Sequence, residues 1–91
     1  MTDTASIPYI SPTNPSFQGF RGDLVIVDAD APLPPGSRVE FELSLPREGK
    51  TVPVIGKVAK VSAQGAVFRI QVRVHSLSRE VRAALTAENT P

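Results

Sequence analysis

The sequence contains no cysteine and no tryptophan, and its only histidine is His75. Without cysteine the chain cannot form a disulfide or a thiolate metal site, and a single histidine cannot supply a histidine-rich zinc site. We therefore expect no metal and no resident cofactor. A small domain without disulfides or a metal site depends on packing for its stability. Self-association is a further way to gain stability.

Strong charge of one sign is also missing, because ten basic side chains face nine acidic ones and the net charge is +1. No general attraction to nucleic acid or to an anionic membrane follows from this balance. The longest apolar run, Leu24–Val27, is far shorter than the roughly 20 residues of a membrane helix. Residues 1–6 lack the basic and apolar regions of a secretory signal. These absences predict a cytoplasmic protein with no membrane insertion.

Nothing in the sequence indicates an enzyme. Glu40 and Glu42 share one strand face without a nearby base or nucleophile, and His75 has no evident acidic residue to orient it. Ser78 suits a helix cap better than a nucleophile. The sequence shows neither a phosphate-binding glycine loop nor a metal-ligand cluster.

Alternation of apolar and polar residues predicts β-strands along most of the chain. The predicted strands are Leu24–Val27, Val39–Leu45, Thr51–Val61 and Val67–Val74. Inside the third of these, Gly56 indicates a bulge or a bend, and Pro53 indicates a sheet edge or a bulge.

The period changes after the last strand, where residues 78–87 predict a short amphipathic helix. Ser78 is its expected N-cap, its apolar stripe is Val81, Ala84 and Leu85, and the chain from residue 88 onward is expected to fray. The stripe can either lie on its own barrel or be offered to another chain.

The fold class that follows is mainly β: a small antiparallel β-barrel over about residues 17–75, with one C-terminal helix. Residues 17–87 form the domain, and residues 1–16, which contain three prolines, form an extended or mobile N-terminal segment. Ile7, Tyr9 and Ile10 of that segment are able to dock on the barrel. The predicted core consists of Val39, Phe41, Leu43, Phe68, Ile70, Val72 and Leu85.

The run Asn14-Pro15-Ser16-Phe17-Gln18-Gly19 resembles the (Asp/Asn)-x-Ser-x-x-Gly motif of PilZ domains. These are small β-barrels that serve as receptors or adaptors for the bacterial second messenger cyclic-di-GMP. The turn at residues 32–36, the strand that ends in Leu45-Pro46, the next strand and the closing helix follow in the order of that family. The resemblance spans roughly residues 14–86.

The resemblance implies that Asn14 and Ser16 contact guanine edges and that Gly19 allows close approach of the backbone. In this family an Arg-x-x-x-Arg pair upstream of the motif binds the phosphates and stacks on the bases. No arginine precedes Arg21 in this chain, so Arg21 is the nearest candidate for a cationic contact. Charge-assisted hydrogen bonds contribute about 1.5–3 kcal/mol each, so the missing pair predicts much weaker nucleotide binding.

A second Arg-x-x-x-Arg pattern occurs at Arg69 and Arg73, inside a predicted strand and on its outer face. A solvated strand face explains it better than a phosphate site does.

The resemblance therefore implies a non-catalytic module of cyclic-di-GMP signalling that acts as an adaptor through a protein partner. Two alternatives remain open. The chain can be a cyclic-di-GMP receptor whose arginines come from elsewhere, or a small barrel that binds nucleic acid. Balanced charge and only five scattered aromatic residues argue against the second alternative.

Overall fold

A computed structural model describes residues 9–75 and 77–89. The expectations for residues 1–8, including Ile7, lie outside the described residues. In chain order the elements of the described part are β1 (Ser16–Arg21), β2 (Leu24–Ala29), β3 (Arg38–Leu45), β4 (Lys50–Gln64), β5 (Val67–Val74) and α1 (Arg79–Asn89). The strands form one antiparallel sheet in the order β1-β2-β5-β4-β3. The prediction of a mainly-β fold with one C-terminal helix is confirmed.

The sheet curls into a half-barrel whose edge strands, β1 and β3, contact each other. Ile10 pairs in parallel with Val39 at the free edge of β3. Its N–H donates to the Arg38 carbonyl at 2.9 Å, and its carbonyl accepts the Glu40 N–H at 3.1 Å. Helix α1 contacts β1, β3 and β4, and so it lies across the gap between the two edges.

Every second residue of β3 is buried, as the alternation predicts. Phe41, Leu43, Ile70, Val72 and Leu85 belong to the core, together with Val39. The prediction that Phe68 belongs to the core is wrong. Phe68 is only half-buried, because it lies near the start of β5, next to the turn that joins β4 to β5.

Gly56 does not lie at a bulge. The register of β4 shifts between Val58 and Lys60 instead. Gly56 lies where the backbone of β5 comes closest, and a Cβ atom placed there would collide with the Arg73 carbonyl. The edge position of Pro53 is confirmed, since β4 pairs with β5 only from Gly56 onward.

Helix α1 begins as predicted, with the Ser78 Oγ accepting the Val81 N–H at 3.1 Å. Its end differs from the prediction of a frayed tail. Glu88 is buried, and its carboxylate accepts the backbone N–H groups of Arg47 at 3.2 Å and Glu48 at 2.9 Å. These bonds join the helix to the β3–β4 turn, because backbone donors in a turn need an acceptor when they are removed from water.

Two further residues of α1, Asn89 and Arg82, fix the helix against the β1 edge. The Asn89 Oδ1 accepts the Phe20 N–H at 3.1 Å. Arg82 donates to the Gly22 carbonyl at 3.2 Å and lies over the Phe20 ring, 5.8 Å from its centroid. Ala84 and Leu85 are buried, whereas Val81, the first residue of the apolar stripe, is only half-buried. The helix thus lies on its own sheet and leaves part of its stripe accessible.

Candidate functional site

Asn14 lies in the turn before β1, in the left-handed region with φ 50°. This conformation is uncommon for residues other than glycine, although asparagine adopts it more readily than most. The Asn14 Nδ2 donates to the Asp30 Oδ2 at 2.7 Å, and the Asp30 N–H donates to the Thr13 carbonyl at 2.9 Å. The amide donor of the motif is therefore already bound to a carboxylate.

Ser16 begins β1 and is exposed. It lies directly opposite Asp28 of β2, and Asp28 lies directly opposite Arg69 of β5. The Ser16 hydroxyl accepts a long hydrogen bond of 3.4 Å from the Gln18 Nε2. Paired residues on adjacent strands project from the same face, so the serine faces an acidic side chain.

Arg69 and Asp28 form a two-point ion pair, with Nε to Oδ1 at 2.9 Å and Nη2 to Oδ2 at 3.2 Å. The hydrogen bond and the charge of Asp28 raise the pKa of Arg69 above its ordinary value. Arg73 pairs similarly with Asp23 at 3.0 Å, in a more exposed position. Both arginines lie on the outer face, as predicted, and each is bound to a carboxylate of β2 or of the turn that precedes it.

Gly19 and Arg21 lie farther along β1 than Ser16. Arg21 is exposed and lies five residues beyond Ser16, which in a strand is roughly 15 Å. The space above Gly19 is occupied by a side chain of the protein itself. A Cβ atom at Gly19 would lie 3.6 Å from the Asn89 Oδ1. The fold thus brings Asn14 and Ser16 to one end of β1 and leaves Arg21 at the other.

The second notable feature is an apolar groove between β4 and α1, which we call the β4–α1 groove. One part has a volume of ≈ 420 Å³, and a second part of ≈ 450 Å³ shares Pro53 and Val81 with it. Tyr9 and Ile55, which line the first part, are the exposed large hydrophobic residues of the described chain, at 46% and 38% exposure. Volumes of this size are typical of binding sites.

Among the described residues, no group of three or more acidic, histidine or cysteine side chains could hold a metal ion. In the same part of the chain, no helix is long and apolar enough to cross a membrane.

No protein-family model matches the chain, and neither a curated protein nor a solved structure matches it. The fold and the geometry of the two sites therefore carry the functional argument.

The sequence patterns did not identify the groove, although one signal was available. Thr51, Pro53, Ile55 and Lys57 form the outward set of β4. Ile55 is the large aliphatic residue of this exposed set, and such a residue marks a binding surface when other apolar groups lie beside it. The neighbours, Tyr9 and α1, come from distant parts of the chain, so their proximity depends on the tertiary fold.

Proposed function

We propose that the protein is a non-catalytic signalling module of the PilZ type that acts as an adaptor through protein contacts. In this proposal the isolated chain binds cyclic-di-GMP weakly or not at all. The order of the sequence features between residues 14 and 86 supports the family assignment. The curled antiparallel sheet with a C-terminal helix is consistent with the fold that the resemblance implies.

The main support for the adaptor function is that acidic side chains surround the motif residues Asn14 and Ser16. Asn14 donates to Asp30, and Ser16 lies opposite Asp28. A ligand with two phosphates would approach the Asp30 carboxylate, which takes no part in the two ion pairs of the described residues. Like charges about 4 Å apart repel by about 1 kcal/mol in water and by about 4 kcal/mol near a protein surface.

The two arginines of the outer face are not free to bind a phosphate. Arg69 neutralises Asp28 and Arg73 neutralises Asp23, so either arginine would have to leave its carboxylate to bind a phosphate. Arg21 is separated from Ser16 by more than the screening distance of about 8 Å at physiological salt. The motif therefore lacks a cation that is free to bind a phosphate beside it.

The β4–α1 groove supports the part of the proposal that concerns protein contacts. Exposed apolar side chains that line a groove are typical of interaction sites. Tyr9 and Ile55 give this groove two such side chains, and Leu77 and Val81 extend the apolar wall.

A capture experiment tests the adaptor function. The immobilised chain is expected to retain a defined protein from an extract of the cells that naturally produce it, without added cyclic-di-GMP. Asn14→Ala and Ser16→Ala, which alter only the motif, are expected to retain the same protein in the same amount. Sedimentation over a range of concentrations shows whether the captured protein is a second copy. A chain that retains no protein but saturates with cyclic-di-GMP would be a receptor, contrary to this proposal.

A further inference from the structure

A row of basic side chains crosses the outer face of the sheet beside the groove. Arg38 of β3 lies directly opposite Lys57 of β4, and Lys57 lies directly opposite Arg73 of β5. All three residues are exposed, and we call them the basic row. Adjacent strands are about 4.8 Å apart, so the row brings three cations close together. Arg73 is paired with Asp23, and Arg38 and Lys57 lie outside the ion pairs of the described residues.

The basic row is unfavourable for the folded protein by itself. Like charges directly opposite each other on neighbouring strands destabilise a sheet. Within residues 9–75 and 77–89, the two ion pairs join Arg69 to Asp28 and Arg73 to Asp23, so neither involves Arg38 or Lys57. A local arrangement that opposes stability is typical of a functional surface.

The groove and the basic row form one continuous surface. Ile55 and Lys57 are two residues apart on β4, and so they project from the same face. Beyond Ile55, Pro53 and Val81 lead into the second part of the groove. On β3, Glu40 and Glu42 lie opposite Ile55 and Pro53, so the surface is basic at one end and carries carboxylates beside its apolar part.

The edge of β4 in this groove is open to another strand. The Ile55 carbonyl accepts the His75 N–H at 2.8 Å, so the backbone polar groups of Ile55 point towards the β5 side. Strand geometry directs those of Pro53 and Thr51 to the same side. In the described part of the chain, β4 pairs with β5 only from Gly56 onward. Because the Ile55 carbonyl is already bound, residues 50–54 offer roughly 17 Å of open edge.

We infer that this surface binds an extended segment of a partner protein, with its apolar residues in the β4–α1 groove and its carboxylates on the basic row. The inference rests on the proposed adaptor function and specifies where the partner binds and what chemistry it presents. The carboxylates fix the direction of the segment, because Glu40 and Glu42 repel them from the other end. Main-chain bonds to a sheet edge with side-chain pockets beside it are a common mode of peptide recognition.

A protein segment fits this surface better than a nucleic acid does. The carbonyls of Thr51 and Pro53 require N–H donors placed along an extended backbone, and a phosphodiester backbone has none. Tyr9 and the His75 imidazole are the aromatic rings lining the described groove, whereas binding of single strands relies on a row of successive aromatic platforms.

The test uses a fluorescent extended peptide with leucines and valines in its first half and glutamates in its second half. A second peptide carries lysines in place of the glutamates. The first peptide is expected to saturate the full chain and to shift the NMR signals of Ile55, Lys57 and Val81. The second is expected to bind about tenfold more weakly, because it meets the basic row with like charge.

Three variants separate specific contacts from general charge effects. Ile55→Thr keeps a branched strand residue but removes apolar contact, and Lys57→Gln removes one charge of the row; each is expected to weaken binding of the glutamate peptide about tenfold. Gln64→Glu changes the net charge by the same amount as Lys57→Gln, at the exposed far end of β4, and is expected to leave binding unchanged.

Several results would overturn the inference. The first is that binding of the glutamate peptide does not saturate, or that both peptides bind with equal affinity. The second is that Ile55→Thr and Lys57→Gln bind the glutamate peptide as well as the unaltered chain does. The third is that a single-stranded DNA of similar length binds more tightly than the peptide. If Ile55→Thr retains the captured cellular protein as well as the unaltered chain does, the adaptor function stands and only the location is wrong. A chain that captures no protein and saturates with cyclic-di-GMP contradicts the function itself.

Discussion

Replacing Gly56 by alanine is expected to destabilise the domain strongly. An added Cβ atom would collide with the Arg73 carbonyl and lie 3.0 Å from the Val74 Cα. Both obstacles belong to the backbone of β5, which lies between β2 and β4 in the sheet, so no side-chain rotation relieves the contact. The two strands must separate, and we expect a loss of about 3 kcal/mol or more, at the upper end of the range for overpacking.

The matched control for this prediction is Gly19→Ala, the same substitution at another strand glycine. A Cβ atom at Gly19 meets the Asn89 Oδ1 at 3.6 Å and the Ile26 Cδ1 at 3.7 Å, which are ordinary contacts. Its unfolding free energy is expected to change by less than about 0.5 kcal/mol. Urea unfolding followed by circular dichroism measures both variants. Equal stability of Gly56→Ala and the unaltered chain would show that β4 and β5 are not packed as described.

Truncating Phe41 to alanine is expected to cost about 3–5 kcal/mol. Phe41 lies on the inward face of β3 and belongs to the main core cluster. Removing the ring loses the free energy gained by transferring it from water to the core. It also leaves a cavity that the surrounding strands fill only in part. The total stability of a domain of this length is only about 5–14 kcal/mol, so a large share of the protein's stability depends on this contact.

Glu40→Ala is the control for Phe41→Ala, because Glu40 is the preceding residue of β3 and is exposed. Its expected change lies within about 0.5 kcal/mol. In thermal unfolding, the midpoint of Phe41→Ala should fall by roughly 15–25 °C, and that of Glu40→Ala should be nearly unchanged. If the two variants lose similar stability, the assignment of the inward face of β3 is wrong.

The sequence predicts best those strands whose two faces differ most. Alternation of apolar and charged residues in β3 and β5 sets their boundaries almost to the residue, because burial on one face requires a period of two. Strand β1 lacks such a regular period. Its register shifts between Phe17 and Gly19, so the two residues that face Val27 and Val25, namely Phe17 and Phe20, are three positions apart instead of two or four.

The end of α1 is likewise not predictable from local sequence patterns. Glu88 is a charged residue near the terminus, which favours a prediction of fraying. It is buried because the β3–β4 turn presents backbone N–H groups to its carboxylate, and no local sequence pattern reveals that partner.

The basic row was also not predicted from the sequence, because it depends on pairings between distant residues. The opposition of Arg38, Lys57 and Arg73 depends on strand register, which a single sequence does not specify.

The motif itself illustrates how local resemblance and tertiary surroundings differ. Asn14, Ser16 and Gly19 match the spacing that suggests nucleotide contacts, and the fold does bring the first two together. The carboxylates of Asp28 and Asp30 arrive from β2 and its following residue. Sequence alone could indicate the missing arginines, but only the fold places acidic groups at the site.

Calorimetric titration of cyclic-di-GMP into the isolated chain tests the central claim most directly. Loss of two charge-assisted phosphate contacts weakens binding by about two to four orders of magnitude, and the carboxylates beside Asn14 and Ser16 weaken it further. We therefore predict no saturation below about 100 μM nucleotide. Saturation with sub-micromolar affinity, abolished by Asn14→Ala or Ser16→Ala, would contradict the adaptor account and identify the protein as a receptor.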